Sequence, residues 1–469
     1  MPRRDGIDGE DGARDGGGEG ARDGGDEGAR DDGTGGDDGD IGLAQAVSIE
    51  VGLIVGGALF SLTGVAVGLA GPGVVLAFVL AFGIAILGLY PTAMLGATYP
   101  TTGGNYRYPA ALVSRPLAFL SAIGLGISMF TGGLPLYALT AGQYVESLVA
   151  VGPTVVGLVL LTVFFAVNLV GLRPAAIVQI VLFVGLLGAL GTFVVVGAPA
   201  VDPANLQPPA PNGALGVATA AGVLYFVCLG ANFVVDVGGE VRDATVTIPR
   251  SFAVSVPLVL VAYASIGLVA VGTVGADAMA NQTLAVPAAA FLPDVLQSFF
   301  VVGGALFAIA TSINAVFIIT PKYLEVLAAD GLLPGVLAET NERFGTAHWG
   351  MVAVYVLSVV ALVSPLPVAD LGSMLGFGGA FLVVPVMLAA VVAVREGRGV
   401  ASAGPLSPRT VVVMAALAVP LNLLLLVLLA SQSPRLFLVW LGSLAVAGGY
   451  YLVRTRTTDT TAPELIPDR

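Results

Sequence analysis

From Ile41 onward the chain is a succession of apolar stretches, each roughly 18 to 25 residues long. A helix of about 20 residues, rising about 1.5 Å per residue, crosses the roughly 30 Å of hydrocarbon in a bilayer. The stretches lie near 43–68, 73–97, 117–145, 153–171, 174–198, 213–237, 252–274, 295–320, 349–364, 370–394, 410–430 and 436–453, so twelve transmembrane helices are expected. Only Leu172-Arg173-Pro174 separates the fourth from the fifth, and the ninth is short. A membrane barrel is not expected, because its strands alternate, whereas LNLLLLVLLA at 421–430 is apolar throughout.

Composition agrees with an all-α integral membrane protein. Hydrophobic residues make up 56% of the 469 and charged residues 11%, against roughly a quarter charged in ordinary globular chains. The net charge of -12 argues against a nucleic-acid partner, since phosphate binding needs clustered Lys and Arg. One cysteine, Cys228, and one histidine, His348, cannot build an internal disulfide or a His/Cys metal site.

Acidity is concentrated in residues 1–40, which hold 14 Asp/Glu, 5 Arg and 14 Gly. Gly-Ala-Arg-Asp recurs there at Gly12, Gly20 and Gly28, with too few apolar residues to cover a core. A disordered cytoplasmic tail is expected, with neither the apolar run nor the basic-then-apolar order of a signal peptide. With the amino terminus inside, 13 of the 14 bases beyond residue 40 fall in cytoplasmic segments and only Arg435 falls outside. That bias predicts both termini on the cytoplasmic side of the cell membrane.

Two spans carry glycine in their middles. The first reads GLIVGGALFSLTG at 52–64 and the sixth GVLYFVCLGANF at 222–233. Glycine weakens a helix by about 1 kcal/mol relative to alanine. Helix breaks in a membrane are tolerated where backbone is buried in protein or lines a cavity. A pair of them at the head of two halves points to a midplane binding site between inverted repeats. Close helix packing through small residues is the competing explanation for glycine alone.

At these residues the chain resembles the amino acid-polyamine-organocation (APC) superfamily of permeases. Gly56-Gly57-Ala58-Leu59-Phe60 is similar to that family's Gly-Ser-Gly-Ile-Phe break. AGPGVVLAFVLAF at 70–82 and YPTTGGNYRYP at 99–109 resemble the start of its second helix and the stretch that follows. LGANFVVDVGGEVRDATVTIPRSF at 229–252 keeps the family spacing from Gly230 to Pro249-Arg250, and 322–350 resembles the segment after its eighth helix. The sequence departs from the family with Gly57 and Ala58 in place of Ser and Gly, Gly239 in place of an acid, and Ala231-Asn232 where an aromatic residue and an acid are common.

The resemblance implies a LeuT-like core of two inverted five-helix repeats over 41–394, two additional helices in 395–456 and a cytoplasmic tail at 457–469. It also implies a secondary active transporter moving amino acids by alternating access, with no enzymatic activity and no cofactor. Unwinding at Gly56, Gly57 and Ala58 frees amides at the positive end of the outer half-helix, a fit for a substrate carboxylate. The carbonyls of Ile54 and Leu229 are candidates for the substrate ammonium, Gly230 for the second break, and Phe226 for an aromatic cover. Asn232, neutral where an acid would favour a cationic substrate, favours neutral amino acids.

Ionisable groups within spans are the default candidates for ion coupling. Glu50 and Asp236 qualify for protons, with pairing to an arginine such as Arg173 or Arg250 as the structural alternative. Thr311 and Ser312, with the Gly52 and Val55 carbonyls, form a candidate Na+ site of hard oxygen ligands; hydroxyls bonded back onto their own helix are the alternative. A charge network of Glu240, Arg242, Asp243 and Arg250 is expected at the inner face. Tyr106 and Tyr108 are expected as interfacial anchors, and Pro135 and Pro420 as kinks. No phosphate loop, zinc-protease motif or aspartate-rich diphosphate motif is present. The other functions weighed are transport of polyamines or other organic solutes, and a non-transporting sensor or scaffold.

Overall fold

A computed structural model describes residues 41–146, 148–170, 172–341, 346–397, 407–458 and 465. The acidic tail of residues 1–40 lies outside these residues, as does most of 457–469. So do the side chains of Leu53, Arg173 and Lys322.

The described residues are helical, with two isolated β-bridges, Ile41 with Val241 and Thr102 with Val237. Helices α1 (Leu43–Ile54) and α2 (Gly57–Ala70) lead through the turn Gly71–Gly73 into α3 (Val74–Thr98). A short α4 (Gly104–Leu112) precedes α5 (Arg115–Ser128), which passes through a π-helical turn, Met129–Gly133, into α6 (Leu134–Glu146). Next come α7 (Pro153–Leu169), α8 (Leu172–Gly197) and α9 (Gly213–Cys228), the last continuing as a 3-10 helix, Leu229–Asp236. Helix α10 (Ala244–Val274) is followed by the short α11 (Ala276–Met279), α12 (Ala285–Phe291) and α13 (Asp294–Phe299). A second π-helical stretch, Phe300–Leu306, enters α14 (Phe307–Ala329). Helices α15 (His348–Leu362), α16 (Val368–Arg395), α17 (Pro408–Gln432) and α18 (Pro434–Thr457) complete the bundle.

Among the described residues, nine helical stretches are long and apolar enough to cross a membrane. The first, Leu43–Thr98, runs 56 residues and contains the first two predicted spans. The fourth and ninth predicted spans correspond to α7 and α15, apolar helices of 17 and 15 residues. At about 1.5 Å per residue, each falls short of the roughly 30 Å core.

Polarity is distributed as lipid demands. Val195, Val261 and Val446 are 73%, 65% and 74% exposed on the outer faces of their helices. Glu50, Asn105, Asn168, Asn232, Asp236 and Asn314 are buried. A lipid-facing surface has no water to receive polar groups, so they collect where other helices can hydrogen-bond them.

Helix α16 is central, packing on α5, α9 and α17. Its glycines admit that approach: a Cβ on Gly376 would lie 2.7 Å from Leu429 Cδ1, and one on Gly379 would lie 2.5 Å from Phe226 Cδ2. Pro135 is the second residue after the π-helical turn, where one extra residue absorbs the irregularity, while Pro420 sits inside α17 without a break in winding. At the polar end of the bundle, Arg454 of α18 donates to the carbonyls of Gly331 at 3.0 Å and Leu333 at 3.4 Å. Arg115 donates to the Asp330 carbonyl at 2.9 Å.

Gly376→Val should destabilise the fold by about 1–3 kcal/mol through overpacking, while Val446→Ala on the lipid face should change little. Thermal unfolding in nanodiscs checks this, and equal melting of the two variants would contradict the central place of α16.

Candidate functional site

The first helix is broken where its glycines lie. Helix α1 ends at Ile54, Val55 leaves helical geometry at φ -79° and ψ 42°, and Gly56 is extended at φ -92° and ψ -164° before α2 resumes at Gly57. A restarted helix leaves its first amides without intrahelical acceptors. Gly57 N–H donates to Ser312 Oγ of α14 at 2.8 Å, and Leu59 N–H reaches the Gly56 carbonyl at 3.3 Å. Across the gap, the Ile54 carbonyl accepts from the Tyr263 hydroxyl of α10.

The break is tightly enclosed. A Cβ on Gly56 would collide with Ser312 Oγ, and one on Gly57 would lie 2.9 Å from Tyr137 Cδ1 and 3.0 Å from Ile309 Cα. Ile54, Val55 and Ala58 are buried there, and the Gly52 carbonyl lies close to Gly56. Ser312, a sodium-ligand candidate in the sequence, lies at the break with its oxygen accepting an amide. Thr311 Oγ1 donates to Ala308 on its own helix at 2.7 Å. Tyr137 and Tyr263 were not among the sequence candidates. A phenol within an aliphatic span, which needs a buried partner, is the signal that could have found them.

The sixth predicted span is interrupted differently from expectation. It changes winding at Leu229, from α-helix to a 3-10 helix that runs through Gly230 and Asn232 to Asp236, without an extended residue. Bonding to the third residue reuses carbonyls that an open break would leave free. Phe226 lies against Gly379 and 6.4 Å from the Phe233 ring. Asn232 turns to Asn105 in the first turn of α4: its Nδ2 donates to Asn105 Oδ1 at 2.9 Å, and Asn105 Nδ2 donates to the Asn232 carbonyl at 3.1 Å.

Both candidate carboxylates are buried among neutral donors. Asp236 accepts from Asn105 N at 2.9 Å, Asn105 Nδ2 at 2.8 Å and the Tyr323 hydroxyl at 2.5 Å. Glu50 meets Ser251 Oγ at 2.6 Å through one carboxyl oxygen and Ser255 Oγ through the other, both serines on α10. Hydroxyls thus take the place expected for an arginine: Arg250 is exposed, and the Arg173 side chain is not among those described. Cys228 is buried with its thiol directed at the Leu224 carbonyl at 3.5 Å.

Tyr106 and Tyr108 are buried rather than interfacial, because both serve the turn around Asn105. Tyr108 donates to the Tyr99 carbonyl at 3.1 Å, and Tyr106 donates to Asp330 Oδ2 at 2.8 Å. Burial first, and the neighbouring Asp330 second, push the Tyr106 phenol well above its ordinary pKa, so it remains a donor. The segment at 237–242 is tied to the start of α1, where Ile41 N–H donates to the Glu240 carbonyl at 3.0 Å and Arg242 N–H to the Ile41 carbonyl at 2.9 Å. An apolar cavity of about 130 Å³ opens between α5, α14 and the 3-10 helix, with Phe130, Phe233, Thr320 and Tyr323 in its wall.

The family described as amino acid permease matches residues 41–447, from the segment before the broken helix into α18. The chain belongs to that family. An uncharacterized transporter of Mycobacterium tuberculosis is 29% identical to this permease over 315 residues, covering 65% of this chain and 69% of the relative. The inner membrane transport protein YbaT of Escherichia coli is 26% identical over 383 residues, 77% and 85% of the two chains. The branched-chain amino acid permease BcaP of Bacillus subtilis is 23% identical over 437 residues, 86% and 90% of the two. The permease is a multi-pass membrane protein and a transporter.

Ser312→Ala strips the buried Gly57 amide of its acceptor and should cost the permease about 1–3 kcal/mol of stability. Ser312→Thr, which keeps the hydroxyl, should cost less. Thermal unfolding in detergent measures both, and a Ser312→Ala protein as stable as the parent would show that the amide needs no such partner.

Proposed function

We propose that this permease carries amino acids, chiefly neutral ones, across the cytoplasmic membrane by secondary active alternating access. The observation that carries the reading is the break at Val55-Gly56, which buries the first amides of α2 inside the bundle. An amide cluster at a positive helix end fits a carboxylate, and the Ile54 and Leu229 carbonyls across the site fit an ammonium. Ser312 holds the place of one carboxylate oxygen on Gly57, and a substrate displaces it.

The twelve-span, two-repeat architecture belongs to this proposal, with the core at 41–394, two further helices in 395–456 and cytoplasmic tails at 1–40 and 457–469. Irregular windings recur in the same order in both halves, which supports it. A broken or rewound helix at Gly56 and Gly230 is followed by a π-helical turn holding Gly132-Gly133 and Gly303-Gly304. Gly132 follows Gly56 by 76 residues, and Gly303 follows Gly230 by 73. The printed name of the Bacillus subtilis relative favours branched-chain substrates, and the neutral Asn232 agrees with it. Sodium coupling through Thr311, Ser312 and the Gly52 and Val55 carbonyls is the other coupling mode: Thr311 donates to Ala308 and Ser312 accepts from Gly57, and each oxygen keeps a lone pair for a cation.

Proteoliposomes containing the full chain should take up labelled leucine, isoleucine and valine. Gly57→Trp should abolish that uptake, while deletion of residues 2–40 should leave it. Silence across the twenty common amino acids, with uptake of a polyamine, would overturn the substrate class. Binding without uptake would favour a sensor or scaffold.

A further inference from the structure

Three polar contacts meet at the seam between α1 and α10. Glu50 contacts Ser251 Oγ through one carboxyl oxygen and Ser255 Oγ through the other, and Ser251 Oγ also lies 2.9 Å from the Ile248 carbonyl. All three are oxygen-to-oxygen contacts at hydrogen-bonding distance, and each requires one proton. The two serines supply one proton each, and the Ile248 carbonyl supplies none. If Glu50 were ionised, Ser251 would have to divide its single proton between Ile248 and the carboxylate, weakening both contacts. We infer that Glu50 is a proton-binding site, its carboxyl O–H donating to Ser251 Oγ while Ser251 donates to Ile248 and Ser255 donates to the other Glu50 oxygen.

The surroundings supply no countercharge among the described side chains. On α10, Tyr263 is committed to the Ile54 carbonyl and Arg250 is exposed. Asp236 of the 3-10 helix and Tyr323 of α14 are committed to one another, and Glu325 of α14 is half-buried. Glu240 and Arg242 meet the start of α1 through their backbones, ahead of the helix. The Ser251 and Glu50 oxygens, 2.6 Å apart, sit at the distance of a shared proton. Oxygens shared by a hard cation at about 2.3–2.6 Å from each stand farther apart, so the site is built for a proton and not for sodium.

Position gives the proton its use. Glu50 lies on the same helix as Ile54, and α10 holds both, the carboxyl through Ser251 and Ser255 and the end of the helix through Tyr263. Movement of α1 against α10 breaks these contacts together, hydrates the carboxyl and releases its proton to water. This role in coupling rests on the permease reading; the protonation itself does not.

Infrared spectra of the purified full-length protein in liposomes test protonation without any substrate. At neutral pH the parent should show an un-ionised carboxyl band that is lost in Glu50→Gln and retained in Asp236→Asn. The glutamine can donate and accept at the same two serines, so its fold should hold. Ser251→Ala, which removes the acceptor of the carboxyl proton, should shift the band to higher wavenumber. A carboxyl region unaltered by both Glu50→Gln and Ser251→Ala would overturn the site.

For coupling, an inward proton gradient should drive leucine accumulation by the parent, and Glu50→Gln should lose that response while still exchanging leucine across the membrane. Exchange by a parent that ignores the proton gradient, or follows a sodium gradient instead, would overturn proton coupling and leave the permease reading intact. A parent that moves no amino acid in any mode would overturn the permease reading and the coupling role with it, leaving protonation to the infrared band.

Discussion

A peptide group released from a helix inside hydrocarbon has no water to turn to, and each unmet donor or acceptor there costs several kcal/mol. The interruption between Ile54 and Gly57 can exist only because two other helices reach into it. Ser312 on α14 receives an amide from one side of the gap, and Tyr263 on α10 gives a hydroxyl proton to a carbonyl on the other. Much of the interior follows from this requirement. The gap must be enclosed to stay dry, so Gly57 meets Tyr137 and Ile309 at contact distance. Enclosure in turn fixes α6, α10 and α14 around one point of α1.

Its buried acids follow a second rule. Glu50 and Asp236 are held by serine, tyrosine and asparagine groups, all neutral. An arginine partner would bind a carboxylate strongly, but a change in the acid's charge would then strand a cation in low dielectric. Neutral partners carry no such liability. Ser251 accepts from a neutral carboxyl, or donates to an ionised one at the expense of its bond to the Ile248 carbonyl.

The sequence displayed the architecture more plainly than the site. Runs such as 421–430 are too apolar to be anything but membrane helix, and Gly56-Gly57, which close packing could also explain, marked the break through its resemblance to the family's Gly-Ser-Gly-Ile-Phe stretch. The same inference failed in kind at Gly230. Glycine signals that a helix can depart from α geometry, not whether it opens or tightens, and here it tightens into a 3-10 helix. The serines around Glu50 were illegible for another reason. They lie 201 and 205 residues along the chain, and a hydroxyl in a membrane helix more often bonds its own backbone, as Thr311 does. Tyr106 and Tyr108 were misread because tyrosine near a span end satisfies the pattern of an anchor, while only the folded turn reveals Asp330 and the Tyr99 carbonyl as their partners.

The loop at 330–333 is grasped from three directions: by Tyr106 on α4 through a side chain, by Arg115 on α5 through a carbonyl, and by Arg454 near the end of α18 through two more. The final turn of the final helix is thus a clasp on a connection formed more than a hundred residues earlier. Residues far downstream must therefore be made and folded into α18 before that connection can be fastened, so the loop closes long after its own residues are in place.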